Sequence, residues 1–365
     1  MCGGFLLHFA QLASAIGTGD DKNRGMKPEE LGGALSAALS GPLGGEVRIE
    51  ELARLSGGAS RETWAFHASG PDGVRHAFIL RKDFEGSASQ GVNLLLDESQ
   101  RFDRAGEYAL CVVLHDAGVP TPRPVCLPDA STGLRDCFVM ERLDGEGLPR
   151  KLLHDDAYAD ARPKMTATLG AVAARIHSFG PEELPTLPTL DARGQLGLIR
   201  RMLDLGGQTR PILELSLRWL RDRVPPLRSG LKLVHGDFRN GNFLVAPDGF
   251  RAVLDWEYAH LGDPMEDLGF LCMKPWRFGN HEHDVGGFGS RQELFRAYEQ
   301  AGGEPVDEEV VRFWEVLGTL KWGSLCTIRA MLHLSRMQHS VEAAAIGRRV
   351  AETEYDLIDL IGEHP

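Results

Sequence analysis

The sequence predicts an α+β chain of two lobes, a small β-rich amino-terminal lobe and a larger, mainly helical carboxy-terminal lobe. Segments that alternate apolar and polar residues crowd into the first 143 positions. Apolar residues recur at helical spacing through most of the remainder. Between the two lies Asp144-Gly145-Glu146-Gly147, a polar, glycine-rich joint. The expected division is an extension over 1–25, one lobe over 26–143 and a second over 144–365, within the two-domain range that 365 residues allow.

Each element has a local reason. Residues 27–40 read as a helix that starts at Lys27-Pro28-Glu29-Glu30. Arg48 to Leu55 and Glu62 to Ala68 alternate as strands, with Ser56-Gly57-Gly58-Ala59-Ser60 between them. Pro71-Asp72-Gly73 is a turn, and Ala77 to Arg81 is the third strand. After the polar stretch Glu85 to Gly91, residues 97–117 carry a helical pattern that stops at Gly118. Pro120, Pro122 and Pro124 force an extended segment, and strands follow near 123–128 and 135–141. Helices are expected over 157–179, 191–205 and 209–224, then a short β region from Lys232 to Asp255. Four further helices are expected over 264–272, 290–301, 307–334 and 338–361.

Composition narrows the function. Hydrophobic residues make up 42% and charged residues 25%, which excludes disordered and fibrous classes. The net charge of −12 argues against nucleic-acid or anionic-membrane partners, because both need dense Lys and Arg to replace counterions. The six cysteines form no C-x-x-C pair, so a zinc ribbon is unsupported, and a reducing, cytoplasmic setting is expected. The apolar run from Phe5 to Ile16 is interrupted by His8 and Gln11 and has no basic residue before it. It is short for a membrane span and unlike a secretory signal, so 1–25 is expected to be a disordered extension or an upstream start.

The chemistry concentrates between Leu231 and Glu257. Two apolar strands flank a polar loop that holds His235, Asp237, Arg239, Asn240 and Asn242. Pro247-Asp248-Gly249 then turns the chain back into Val253-Leu254-Asp255. Phosphoryl transfer needs a carboxylate near the incoming hydroxyl and oxygen ligands for Mg²⁺. Asp237 can supply the first. Asn242 and Asp255, returned to the loop by the hairpin, can supply the second.

His235-Gly236-Asp237, four residues, Asn242 and then Asp255 resemble the motifs of aminoglycoside phosphotransferases and choline kinases, small-molecule kinases with a protein-kinase-like fold. Gly236 stands where protein kinases carry Arg, and Asp255-Trp256-Glu257 where they carry Asp-Phe-Gly. The Leu-Asp-Trp-Glu string and an arginine on the third strand are most similar to the kinase-like domains fused to acyl-CoA dehydrogenases. The resemblance spans Arg48 to Leu271 and implies Asp237 as catalytic base, Asn242 and Asp255 as Mg²⁺ ligands, and His235 as a brace for the loop. The continuation His260 to Leu268 is also similar, and Asp263 and Asp267 are expected to support the loop structurally.

The resemblance also implies a nucleotide site in the first lobe. Ser56, Gly57, Gly58, Ala59 and Ser60 would fold over the phosphates, although alone they read as a tight hairpin. Arg81 is the expected phosphate-binding cation, with Lys82 as competitor, since alternation sets Phe78 and Leu80 against Ile79 and Arg81. Its helix partner is Glu107, with Glu98 as alternative. Met140, Glu141 and Arg142 resemble the interlobe hinge that meets adenine, although the stretch also reads as an ordinary buried strand.

Two other features carry less. His281-Glu282-His283 offers two histidines without a third ligand and reads as a loop. Trp314, Trp322 and Met331 read as core or as substrate-pocket lining. The expected activity is Mg²⁺-dependent transfer from ATP or GTP to a small hydroxylated molecule, by a monomer or homodimer. Aminoglycosides, amino alcohols, sugars and hydroxy acids all remain open as acceptors. The alternative is a catalytically silent nucleotide-binding module, which usually loses one of the three acidic or amide positions retained here.

Overall fold

The computed structural model describes residues 26–55, 61–83, 102–228, 230–336 and 341–362. The first lobe contains strands β1 (Arg48–Arg54), β2 (Arg61–Ser69), β3 (Arg75–Asp83), β4 (Pro124–Cys126) and β5 (Cys137–Glu141). They form one antiparallel sheet in the order β1-β2-β3-β5-β4. Helix α1 (Pro28–Leu39) buries Leu31, Ala34, Leu35 and Leu39, the positions that helical spacing brings to one face. These join Phe66, Phe78 and Leu80 of the sheet in a small core, where each fully buried leucine is worth roughly 1.5–3 kcal/mol.

Strand β3 sets up the site. Phe78, Leu80 and Lys82 are buried, while Ile79 and Arg81 on the opposite face are only partly covered. The two adjacent cations therefore point to opposite sides of the sheet. Helix α2 (Arg104–Asp116) starts at Asp103, whose side chain accepts from the Gly106 amide at 2.7 Å. Leu110, Cys111 and Leu114 of α2 belong to the core of the larger lobe, so this helix ties the two lobes together.

The larger lobe contains α3 (Pro149–His154), α4 (Met165–Ile176), α5 (Ala192–Gly206), α6 (Pro211–Arg221), α7 (Met265–Cys272), α8 (Arg291–Gln300), α9 (Glu308–Leu334), α10 (Val341–Arg348) and α11 (Val350–Gly362). Helix α9 is its axis, packing against α5, α6, α7, α10 and α11. It buries Phe313, Trp314, Leu317 and Leu320 on several sides, as a central helix must. Among the described residues no helix is long and apolar enough to cross a membrane.

Three differences from the sequence reading have physical causes. The expected helix over 157–179 is regular only from Met165 to Ile176, because Pro163 lies in a short 3-10 turn ahead of it. The expected helix over 338–361 is two helices, α10 and α11, with Arg349 in the break and 338–340 outside the described residues. The β region after Lys232 is two ribbons. Strand β6 (Lys232–Val234) pairs with β9 (His260–Gly262), and β7 (Phe243–Ala246) pairs with β8 (Gly249–Val253). Strand β9 is too short to leave a periodic signature and forms only because β6 meets it.

Candidate active site

A cleft of about 400 Å³ lies between the lobes. Its upper wall is the open face of the sheet, with Thr63, Ile79 and Arg81. Met140, Glu141 and Arg142 line its back, and Gly241, Asn242 and Asp255 its floor. Residues 56–60, the expected phosphate loop, lie outside the described residues, as does Glu98.

The loop between β6 and β7 is held from beneath. Asp267 accepts the backbone amide of His235 at 2.8 Å, that of Gly236 at 3.0 Å and the His177 ring nitrogen at 3.1 Å. Burial raises the Asp267 carboxyl, but the bond from His177 and the other donors outweigh it and hold the group below its ordinary pKa. His235 is fully buried. Its Nε2–H donates to the Leu254 carbonyl at 3.0 Å, while Nδ1 accepts the Asp237 amide at 3.2 Å. That pattern needs the neutral imidazole, and burial lowers the His235 pKa accordingly. Asp263, ahead of α7, accepts the Met265 amide at 3.0 Å and the Trp314 indole N–H at 3.1 Å.

Gly236 permits the turn. Its φ is +77°, and a Cβ would come within 2.4 Å of the Tyr258 carbonyl oxygen. The Asp237 carboxylate then accepts Arg239 Nε on Oδ1 at 2.8 Å and Asn242 Nδ2 on Oδ2 at 2.6 Å. Asn242 also receives the Leu254 amide on its backbone carbonyl at 2.8 Å, which delivers the next residue, Asp255, to the floor of the cleft. Asp255 adopts φ +69°, a left-handed conformation that aspartate tolerates better than most residues. The structure thus bonds Asp237 to Asn242 and sets Asn242 with Asp255 on the cleft floor, while Asp237 itself does not line the cleft.

The sheet contributes the cation. Arg81 donates to Asp255 at 2.7 Å across the lobe boundary and stands 3.6 Å from Glu107 of α2. Lys82 faces the buried side and does not line the cleft. Sequence reasoning missed Arg104, one helical turn before Glu107 and bonded to it. Arg104 also pairs with Asp83 at 3.1 Å and reaches Glu257 at 3.9 Å. Its i, i+3 spacing from Glu107 was the available signal. At the hinge, the amides of Glu141 and Arg142 donate to Arg123 and Ala77, both at 2.9 Å. Those two donors are engaged within the fold, so a ligand reading these residues by backbone has to use other groups of the segment.

Among the described residues no three His, Cys, Asp or Glu side chains gather closely enough to hold a metal by themselves. Of the oxygen donors that line the cleft, Asp255 and Asn242 lie together on its floor and fit Mg²⁺, which takes one or two protein ligands and completes its shell with water and phosphate oxygens.

Comparison with known proteins follows the same lines. The description "Phosphotransferase enzyme family" matches residues 51–314. Acyl-CoA dehydrogenase family member 11 of Gallus gallus is 28% identical over 228 residues, covering 60% of this chain and 27% of the relative. The chain thus spans about a quarter of the length of that curated relative. A candidate aminoglycoside phosphotransferase of Ralstonia eutropha superposes over 90% of this chain and 98% of its own with a TM-score of 0.68 at 20% identity. A spectinomycin phosphotransferase solved with ADP and spectinomycin superposes over 88% and 97% with a TM-score of 0.60 at 14% identity. At these identities the structures speak for the fold, a kinase-like two-lobed one.

Proposed function

The chain belongs to the phosphotransferase enzyme family, and from that premise we propose that it moves the γ-phosphoryl group of ATP or GTP to a hydroxyl of a small molecule. The observation that carries this reading is the meeting of Arg81, Asp255 and Asn242 in one interlobe cleft, with Asn242 bonded to Asp237 behind it. Phosphoryl transfer asks little covalent chemistry of a protein and much positioning and charge stabilisation, which such a set supplies.

In this reading Asp237 accepts the proton of the acceptor hydroxyl as its oxygen attacks the γ-phosphorus. The bond from that phosphorus to the bridging oxygen breaks, and its electron pair leaves with the nucleoside diphosphate. Asn242 and Asp255 would hold Mg²⁺, which when bound offsets charge on the phosphates. Arg81, steadied by Glu107, would exchange Asp255 for a phosphate oxygen. Met140 and Ile79 would pack on the base. His235 and Asp267 keep the loop in shape, and the neutral His235 ring has its one proton on the Leu254 carbonyl and its other nitrogen on the Asp237 amide.

The test is nucleotide-dependent transfer scored by mass spectrometry across aminoglycosides, amino alcohols, sugars and hydroxy acids. A phosphorylated product is expected with the native protein, and Asp237→Asn should lower its rate by ~10³-fold or more while keeping nucleotide affinity. Undiminished turnover in Asp237→Asn would remove that residue as the base.

A further inference from the structure

Arg239 belongs to the loop but has no part in the reading above. Its Nε donates to Asp237 Oδ1 at 2.8 Å. Its guanidinium lies over the Trp276 ring, 4.5 Å from the centroid, and Trp276 is only 5% exposed. Nη1 points toward the Asn240 carbonyl at 3.5 Å. A Cβ on Gly241 would come within 2.7 Å of that same nitrogen, so the glycine leaves room for the guanidinium. Gly241 itself lines the nucleotide cleft. Nη2 meets no acceptor among the described residues, and the side chain keeps 25% of its surface exposed.

These contacts describe a cation stacked on a buried ring, oriented by the Asp237 carboxylate, partly exposed, and adjacent to Gly241 of the cleft wall. A phosphoryl group approaching Asp237 meets a negative charge, and a cation bonded to that carboxylate can both offset the repulsion and touch the phosphoryl oxygens. Arg81 cannot do this from its place beside Asp255 and Glu107. We propose that Arg239 is a catalytic residue of the transfer, contacting the phosphoryl group in flight through its free edge while Nε keeps Asp237 oriented. The inference rests on Asp237 as the base. The atoms exchanged are those given above, and Arg239 neither gains nor loses a proton, since a guanidinium stays charged.

The probe is Mg²⁺ with ADP or GDP, alone and with aluminium fluoride, which stands in for the planar phosphoryl group. Binding is measured by calorimetry on the full chain. The native protein should bind the fluoride complex at least tenfold more tightly than the diphosphate alone. Arg239→Met should lose most of that gain and keep its diphosphate affinity, and Arg239→Lys should recover part. Trp276→Leu should also reduce the gain, because the guanidinium then lacks its platform. Full gain in Arg239→Met, or no gain in the native protein, overturns the proposal. Failure of the native protein to bind either diphosphate would instead sink the nucleotide-transfer reading itself. Circular dichroism of each variant separates these outcomes from misfolding.

Discussion

Residues 236 and 255 show how much of the site depends on backbone that ordinary side chains resist. Gly236 has a positive φ and lies against the Tyr258 carbonyl, so any Cβ there meets both torsional strain and a backbone atom. Gly236→Ala should cost about 3 kcal/mol in urea unfolding and displace Asp237, with turnover falling more than stability alone explains. Native-like stability in that variant would mean the loop has another low-energy path. Asp255, by contrast, holds its left-handed conformation with a side chain in place, and its bond to Arg81 contributes to that choice. The motif could be read because Asp237, Asn242 and Asp255 are identified by chemistry and spacing. The stacking of Arg239 could not be, because Trp276 lies 37 positions further on, and nothing in the sequence shows that the guanidinium and the indole meet.

Among the elements, β3 decides which cation enters the cleft. The alternation Phe78, Leu80, Lys82 against Ile79, Arg81 follows from the pleat, and the buried aromatic and leucine fix the phase. Arg81→Met should therefore raise the KM for nucleotide and lower kcat, together by ~10²-fold or more in kcat/KM. Lys82→Met should leave the nucleotide KM within about threefold, whatever it does to stability. The reverse ranking in steady-state kinetics would hand the phosphate role to Lys82. Helix α2 shows the opposite limit of sequence reading. Its amphipathic pattern is legible, yet the Asp83, Glu107 and Glu257 carboxylates that surround Arg104 come from three separate elements.

Among the described residues the lobes are joined by the 142–147 joint, the buried face of α2, the Arg81–Asp255 and Arg104–Glu257 pairs, and the bonds of Trp256 to Thr121 and of Val253 to Pro120. A ligand that fills the cleft touches both lobes and stabilises the native state by linkage, about 2.7 kcal/mol at a concentration a hundred times its Kd. Mg²⁺ with ATP or GTP should accordingly raise the Tm by several degrees. Removing Mg²⁺ with a chelator should cancel most of that shift, and Asp255→Ala should show little Mg²⁺ dependence at all. A nucleotide shift indifferent to Mg²⁺ in the native protein would place the metal ligands elsewhere.

The sequence by itself determined the two-lobed division, the phase of β3 and the polar loop between β6 and β7, because each rests on local periodicity or on side-chain types at short spacing. Only the tertiary structure decided that β6 pairs with β9 instead of β7, that the Glu141 and Arg142 amides are engaged within the fold, that Arg104 reaches Glu257 and that Arg239 stacks on Trp276. These outcomes depend on contacts between residues far apart in the chain, such as the 174 positions between Arg81 and Asp255. Periodicity carries no record of such distances; they are fixed when the cores of the two lobes close and bring their edges together.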